Sequence, residues 1–218
     1  MKAVRIHKFG DPEVLQIEEV PDIVPGPGQV TVQMRAIGVN PVETYIRSGI
    51  YPKPPTPFTP GSDGAGVIQT VGPDVKKVSV GDRVYLAGSL SGTYAEQALC
   101  SEAQVHPLGD KASFSQGAAV FVPYATAYQA LFHCGQAKAG DTLFVHGASG
   151  GVGIASVQLA VAAGMTVIGT ASTEQGRQLV ADQGAEHVLD HGAQGYLEEV
   201  GNLTGGNGVD VVLEMLAN

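Results

Sequence analysis

The sequence predicts an α/β protein in which an all-β segment comes first and the beginning of a doubly wound parallel sheet follows. Short β-type runs separated by Pro, Gly and Asp turns fill the first half of the chain. In the second half, helical stretches alternate with buried strands, and a glycine-rich turn joins one of these strands to a helix. The period changes from about Ser113, and the boundary is placed near Val122 and Pro123, where proline can end one helix and open the next. We therefore expect domains at 1–122 and 123–218.

The composition excludes several classes of protein. The 218 residues suit one large domain or two small ones, and the formal net charge of −9 argues against a nucleic-acid or anionic-membrane footprint. Cys100 and Cys134 lie outside any Cys-x-x-Cys spacing, which supports neither a disulfide framework nor a thiolate zinc site and favours a reducing, cytoplasmic setting. Charged residues interrupt the opening stretch, and the most apolar window, 154–168, is too broken to span a membrane. We expect a soluble protein with no membrane partner.

The first half is expected to contain short strands and one helix. The strands are predicted at 29–37, 66–71, 83–87 and 93–99. The helix is predicted between Asn40 as N-cap and Gly49 as terminator. Val42 and Ile46 are four residues apart and are expected to face the core, which leaves Tyr45 on a neighbouring face. Its hydroxyl can then reach a cleft, although Asn40 serving only as a cap and Tyr45 only as packing would explain the pattern equally well.

The second half is expected to form an incomplete parallel sheet. Helices are predicted at 116–121 and 124–133, and strands at 142–146, 166–170, 187–189 and 209–213. The six-strand arrangement would need two more strands. We therefore expect the sheet to stop at its fourth strand and to leave 209–213 as an exposed apolar edge.

A glycine-rich turn carries the strongest functional signal. The stretch 147–153, GASGGVG, follows a buried-strand pattern and opens a helix expected over 154–163. Gly150 can let backbone amides approach a pyrophosphate, and Gly153 can let the helix and strand pack closely. Ala148 replaces the first glycine of the usual fingerprint, so the strand and helix on either side carry the assignment. A turn used only for tight packing is the alternative.

The end of the next predicted strand favours NADPH over NADH. An NAD site usually places an acidic residue there to bind the ribose hydroxyls, and none is present. Ser172 offers a small hydroxyl, and Arg177 follows within about a turn of helix, so a 2′-phosphate would be tolerated. Glu174 would repel that phosphate if it pointed inward. His191 follows the third strand and lies either against the adenosine or simply at the surface.

Several motifs together resemble one family. GVNP at 38–41 with Tyr45, PGSD at 60–63, VGDRV at 80–84 and GASGGVG at 147–153 are similar to the zeta-crystallin-type quinone oxidoreductases of the medium-chain dehydrogenase superfamily. The likeness spans the whole chain. In zinc-dependent relatives a Cys and a His-Glu pair occupy the positions of Asn40 and Ser62-Asp63, so the resemblance implies a zinc-independent enzyme. Family members continue beyond Asn218, which implies that this chain is C-terminally incomplete and that a full-length form is a homo-oligomer.

The resemblance also implies different functions for the two halves of the chain. The β half would be a GroES-like catalytic domain and the second half a partial Rossmann domain that binds NADPH. Positions that contact NADPH in the family match Tyr45, Ser149 to Val152, Ser172 and His191, while Asn40 and Thr126 match positions near the nicotinamide. Together with the residues expected from the patterns above, the predicted cofactor-binding set is Asn40, Tyr45, Thr126, Ser149, Gly150, Gly151, Val152, Gly153, Ser172, Arg177 and His191.

The resulting hypothesis is transfer of reducing equivalents from NADPH to a quinone or a related electrophilic carbonyl compound. Tyr45 is the candidate hydrogen-bond donor to the acceptor oxygen and Asn40 the organising residue. Few ionisable groups occur in the segments assigned to the cleft, so no essential general base is expected. An NADPH-dependent enone or alkenal reductase, a crystallin-like NADPH-binding protein without turnover and an inactive fragment remain open alternatives.

Overall fold

The first of two compact units is an antiparallel β structure. The computed structural model describes residues 1–51 and 54–216, and these divide into Met1–Val122 and Pro123–Asn218. The strands of the first unit are β1 (Lys2–Arg5), β2 (Gln16–Glu19), β3 (Gln29–Ile37), β4 (Asp63–Val71), β5 (Arg83–Ala87), β6 (Gln97–Ser101) and β7 (Val105–Pro107). β1 pairs with β2, and the other five form an antiparallel sheet in the order β6-β3-β4-β5-β7.

Alternating apolar residues build the core of this sheet. Val30 and Val32 on β3, Val84 and Leu86 on β5 and Ile68 on β4 are fully buried and pack together. Because side chains two residues apart share one face of a strand, this alternation fixes which face covers the core. The described part of this region also contains three α-helices, α1 (Pro41–Ser48), α2 (Phe114–Gly117) and α3 (Phe121–Tyr128), and two short 3-10 turns, Pro12–Val14 and Glu102–Gln104. The helix α3 runs across the division between the units.

The second unit is a doubly wound parallel sheet, with four strands among the described residues. A π-helical turn, Gln129–Cys134, precedes its regular elements, which are β8 (Thr142–His146), α4 (Gly151–Ala162), β9 (Thr166–Thr170), α5 (Glu174–Asp182), β10 (His187–Leu189), α6 (Tyr196–Leu203) and β11 (Val211–Glu214). The strands are parallel in the order β10-β9-β8-β11. The chain builds outward from β8 on one side and then returns to place β11 on the other. In open α/β sheets such a switch point is where ligands bind, at the carboxyl ends of the strands.

Several predicted bounds match and others shift. The strands at 29–37, 83–87, 142–146, 166–170 and 187–189 have the predicted bounds. Two elements begin three residues earlier than predicted: β4 at Asp63 rather than at 66, and α4 at Gly151 rather than at 154. Two strands are shifted along the chain: β6 spans Gln97–Ser101 rather than 93–99, and β11 spans Val211–Glu214 rather than 209–213. The predicted helices at 116–121 and 124–133 are replaced by α2, α3 and the π-helical turn. In the part of the chain that the structure describes, no helix has the length and apolar character needed to cross a membrane.

The expected exposed apolar edge is met only in part at β11, which lies at one end of the order of the described strands. This strand pairs only with β8 within the described sheet, and the Val212 side chain is 58% exposed. Leu213, which points to the opposite face, is buried in the core beneath the sheet. The period of two along a strand explains this alternation, since one face of β11 packs and the other does not.

Candidate active site

The glycine turn is fastened to the neighbouring strand by main-chain groups. Gly147 follows β8 with φ +82°, a left-handed conformation that glycine adopts at little cost. Its N–H donates to Thr170 Oγ1 at 2.9 Å, and the Ala148 N–H donates to the Thr170 carbonyl oxygen at 2.7 Å. Thr170 is fully buried at the end of β9. The turn is therefore held rigidly between the two central strands.

Gly153 and Gly150 have opposite surroundings. A Cβ at Gly153 would lie 2.6 Å from the Ala148 carbonyl oxygen, so only glycine lets α4 start so close to the turn. A Cβ at Gly150 would meet its nearest heavy atom, the Gly147 carbonyl oxygen, only at 3.9 Å. The predicted packing role of Gly153 is thus visible in the structure, while the space beside Gly150 is open to a ligand.

The first turn of α4 presents main-chain donors without a side-chain cap. Gly150 is the N-cap, and within residues 1–51 and 54–216 the helix start has no side-chain cap hydrogen bond. The first N–H groups of a helix have no intrahelical acceptor, and the helix dipole adds positive potential at the same place. Because a diphosphate offers both negative charge and acceptor oxygens, the cradle formed by Ser149, Gly150, Gly151, Val152 and Gly153 fits this group.

Other residues predicted to contact NADPH lie beside the glycine turn, at the carboxyl ends of β9 and β10. His191, just after β10, forms a 3.0 Å hydrogen bond through Nδ1 with Thr170 Oγ1. A Cβ built on Gly176, in the first turn of α5, would lie 3.3 Å from Ser149 Cβ, which places Ser149 against this helix. Ser172 lies between β9 and α5 and is exposed. The second unit therefore brings Ser149, Ser172 and His191 to the carboxyl edge of the sheet.

Arg177 is held by two carboxylates. Its guanidinium lies 2.7 Å from Glu174 and 2.9 Å from Asp190, and it also donates to the Ala171 carbonyl oxygen at 3.3 Å. The contact with Glu174, together with the charge of Asp190, raises the pKa of Arg177 above its ordinary value. Glu174 is 86% exposed and does not point inward, whereas Asp190 supplies an acid from the next strand end. A 2′-phosphate would therefore have to compete with both carboxylates for this cation.

An aromatic cluster that the sequence did not predict lies at the same edge. His146 forms hydrogen bonds through Nδ1 with Glu214 at 2.7 Å and through Nε2 with the Tyr196 hydroxyl at 3.1 Å. Its ring is stacked on Tyr196 and meets His191 edge to face. The cluster joins residues from β8, α6 and β11, and such long-range convergence leaves no local signal in a sequence.

The helix α1 of the first unit is anchored by a buried carboxylate. Glu43 is only 5% exposed, whereas Val42 and Ile46, which were expected to face the core, are half-buried. Its carboxylate accepts the Asn40 N–H at 2.6 Å and the Ser62 N–H at 3.0 Å. The Asn40 N-cap and the Gly49 terminator have the predicted places, and Gly49 has φ +81°.

A second carboxylate lies beside the first. Asp63 is 1% exposed and accepts hydrogen bonds from Asn40 Nδ2 at 2.9 Å and from the Val122 N–H at 3.0 Å. Burial raises the pKa of the Asp63 carboxyl, the hydrogen bonds from Asn40 and Val122 oppose this effect, and the charge of Glu43 adds to it. The Tyr94 hydroxyl donates to Glu43 at 2.9 Å, and burial together with the Glu43 charge raises the pKa of this phenol. Two buried carboxylates therefore lie beside Asn40, both hydrogen-bonded within the protein, and the expectation of no essential general base stays a prediction.

The remaining predicted residues lie at the surface of their own units. Tyr45, on α1, is 49% exposed, and no hydrogen bond of its hydroxyl is found among the described residues. Thr126, on α3, is exposed as well. The assignment of Tyr45 to an NADPH contact and of Thr126 to the neighbourhood of the nicotinamide stays a prediction. Residues 1–51 and 54–216 contain no cluster of three or more His, Cys, Asp or Glu side chains suited to a metal ion.

An antiparallel β unit followed by a parallel sheet with a glycine turn at its switch point defines a medium-chain dehydrogenase or reductase. Two family models match the chain: the alcohol dehydrogenase GroES-like domain over 26–110 and the zinc-binding dehydrogenase model over 151–218. The quinone oxidoreductase of Homo sapiens is 48% identical over the whole chain, which spans 67% of that protein. Within this superfamily, the chain belongs to the quinone oxidoreductase family.

Solved structures support the same placement. Escherichia coli quinone oxidoreductase complexed with NADPH has a TM-score of 0.90 and 35% identity, with 100% of this chain and 67% of that chain covered. An NAD-dependent alcohol dehydrogenase has a TM-score of 0.92 and 32% identity, and the match covers 97% of this chain and 70% of that chain. The two folds are equally similar to this chain, so the residues of the site rather than the fold must distinguish the chemistry.

Proposed function

We propose that this protein reduces quinones with NADPH and without zinc. The observation that carries the proposal is the open space beside Gly150 at the uncapped start of α4, because it leaves main-chain donors ready for a diphosphate. We propose a quinone as the electron acceptor because the similar human protein and the similar E. coli structure are both named quinone oxidoreductases. By the resemblance, Asn40 and Ser62-Asp63 match the positions of the metal ligands in zinc-dependent relatives, which supports the zinc-independent part of the proposal.

The residues of the second unit would hold NADPH by different chemical groups. Ser149 to Gly153 would bind the diphosphate, Ser172 and Arg177 the 2′-phosphate, and His191 the adenosine side. Thr126 is proposed to lie near the nicotinamide. When bound, NADPH supplies the reducing equivalents.

On the first unit, Tyr45 is the proposed hydrogen-bond donor to the acceptor oxygen. Its exposed hydroxyl is free to donate to a ligand, and a donor at that point stabilises the negative charge that oxygen gains on reduction. Asn40 organises the site from the N-cap of the same helix. A quinone forms no alkoxide that a metal would need to stabilise, so a neutral donor suffices.

A Tyr45→Phe substitution tests this role. We expect kcat for an ortho-quinone to fall about 10- to 100-fold, since one donor to a developing oxyanion is lost. The matched control is Tyr128→Phe, which alters a tyrosine of similar exposure, 51%, on α3. Steady-state NADPH oxidation measures both. Unchanged turnover in Tyr45→Phe would reduce this residue to a packing role.

The acceptor class is tested with the unaltered protein. NADPH oxidation is compared with an ortho-quinone and with an α,β-unsaturated aldehyde at equal concentrations. We expect the quinone to be turned over faster. Faster turnover of the aldehyde would favour an enone or alkenal reductase, and NADPH binding with no turnover of either compound would favour a binding protein.

We further propose a cytoplasmic location and a homo-oligomeric state. The free thiols of Cys100 and Cys134 support the first, because an oxidising compartment would tend to oxidise an exposed thiol such as that of Cys134. Fractionation of cells and light scattering of the purified protein test the two statements separately.

A further inference from the structure

The Asp63 carboxylate is fixed in place on every side that the structure describes. It begins β4, is 1% exposed, and uses one oxygen for Asn40 Nδ2 and the other for the Val122 N–H. The backbone also packs against it, since a Cβ at Gly38 would lie 2.6 Å from Asp63 Cβ. Because both oxygens accept hydrogen bonds, rotation of this carboxylate would break existing contacts.

We propose that Asp63 is a positioning residue that sets the orientation of the Asn40 carboxamide. The two ends of a carboxamide are nearly equal in shape but opposite in hydrogen bonding, so shape alone does not choose between them. An ionised carboxylate only accepts hydrogen bonds and therefore selects the Nδ2 end of Asn40. The inference rests on the proposed function, in which Asn40 organises the reaction site.

The second buried carboxylate, that of Glu43, holds the main chain rather than the Asn40 side chain. Glu43 accepts the main-chain N–H groups of Asn40 and Ser62, together with the Tyr94 hydroxyl. The main chain of Asn40 is thus held by Glu43 and its side chain by Asp63. A substitution at Asp63 can therefore alter the Asn40 side chain while the start of α1 keeps its anchor.

The substitution Asp63→Asn tests the proposal with almost no change in volume. The new side chain has one acceptor oxygen for two donors, and if this oxygen keeps the Val122 N–H, the new amide faces Asn40 and turns its carboxamide end for end. We expect kcat to fall roughly 10- to 100-fold while the Kd for NADPH changes less than about twofold. The matched control is Asp82→Asn, which makes the same change at an exposed carboxylate of the same unit that accepts the Ser79 N–H.

A double-mutant cycle separates this role from a general structural one. If Asp63 acts through Asn40, Asn40→Ala with Asp63→Asn loses no more activity than Asn40→Ala alone. Losses that multiply would overturn the inference. If Asn40→Ala costs activity and Asp63→Asn does not, only the positioning role fails. If Asn40→Ala is harmless, the proposed role of Asn40 fails and the inference fails with it.

A measurement without cofactor or turnover completes the test. The side-chain amide resonances of Asn40 are identified by their absence in Asn40→Ala, and we expect them to shift in Asp63→Asn but not in Asp82→Asn. Unmoved resonances would overturn the proposal. Should Asp63→Asn not fold, the unaltered protein decides: the amide proton of Asn40 bound to the buried carboxylate must exchange with water more slowly than the other. Equal exchange would refute the assignment.

Discussion

Gly150 and Gly153 lie three residues apart in one turn, yet the structure assigns them different costs on substitution. At Gly153 a methyl group would press on the main chain of Ala148 at 2.6 Å, and backbone cannot give way as a flexible side chain can. At Gly150 the same methyl group meets nothing nearer than 3.9 Å. Gly153 is therefore required for folding, whereas Gly150 is expected to matter for the ligand.

We expect Gly153→Ala to lower the free energy of unfolding by about 1–3 kcal/mol, the range for overpacking a buried site. Gly150→Ala should cost less than about 1 kcal/mol in stability, since alanine is only a poorer N-cap than glycine. It should nevertheless weaken NADPH binding about tenfold or more, because the methyl group occupies the space that the diphosphate approaches.

Urea denaturation and a fluorescence titration with NADPH measure the two effects, and each variant is the control for the other. A stable Gly153→Ala protein would show that the turn can shift. Unchanged NADPH affinity in Gly150→Ala would remove the main support for the cradle.

Glu43 shows why the sequence could predict the cap but not the buried network. A glutamate at N3 of a helix normally lies in solvent, and the local pattern contains nothing to suggest otherwise. Its partners Ser62 and Tyr94 are 19 and 51 residues away along the chain. Only the pairing of distant strands brings them together, so the burial of this carboxylate depends on tertiary structure.

At the scale of elements, strands were predictable where one periodicity dominates. The run 29–37 alternates cleanly and has the predicted bounds, as do the buried strands β8 and β9. The predicted strand 93–99 was displaced because Thr93 and Tyr94 bond the Pro60 carbonyl oxygen in a turn, so the ladder begins only at Gln97. The pair β1 and β2 was not predicted, since β2 is largely polar and exposed.

The strand β11 carries a carboxylate that ties the following residues to the sheet. Glu214 accepts the Leu216 N–H and the hydrogen bond with His146, and these contacts lower the pKa of its carboxyl below the ordinary 4.5. A carboxyl with a lowered pKa in the folded state stabilises that state above the ordinary value. This stabilisation is lost as the pH falls through the lowered value.

We therefore expect the unaltered protein to lose stability relative to Glu214→Gln as the pH falls below 4.5. The difference should stay below about 1 kcal/mol, because the side chain is 41% exposed and water screens the interaction. Thermal melts between pH 6 and pH 3 measure it, with Glu198→Gln, at an exposed glutamate of α6, as control. A difference between the two proteins that does not change with pH would contradict the linkage.

At the scale of the whole molecule, net charge and local charge act on the cofactor in opposite directions. The formal net charge of −9 repels any dinucleotide, and it repels NADPH more than NADH because the 2′-phosphate adds negative charge. Arg177 attracts the same phosphate only at short range. Salt screens the long-range repulsion strongly, since the Debye length shrinks from about 30 Å at 0.01 M to about 8 Å at 0.15 M, and screens a direct contact much less.

We therefore expect the preference for NADPH over NADH to increase with salt, by roughly twofold to tenfold between these ionic strengths. Arg177→Ala should lower this preference by a similar factor at every ionic strength, because it removes a contact and leaves the net repulsion nearly unchanged. The ratio of the two dissociation constants, from fluorescence titrations, measures both effects. A preference that decreases with salt in the unaltered protein would mean that the local cation outweighs the acidic surface. A ratio that is insensitive to Arg177→Ala would mean that Glu174 and Asp190 keep this guanidinium from the phosphate.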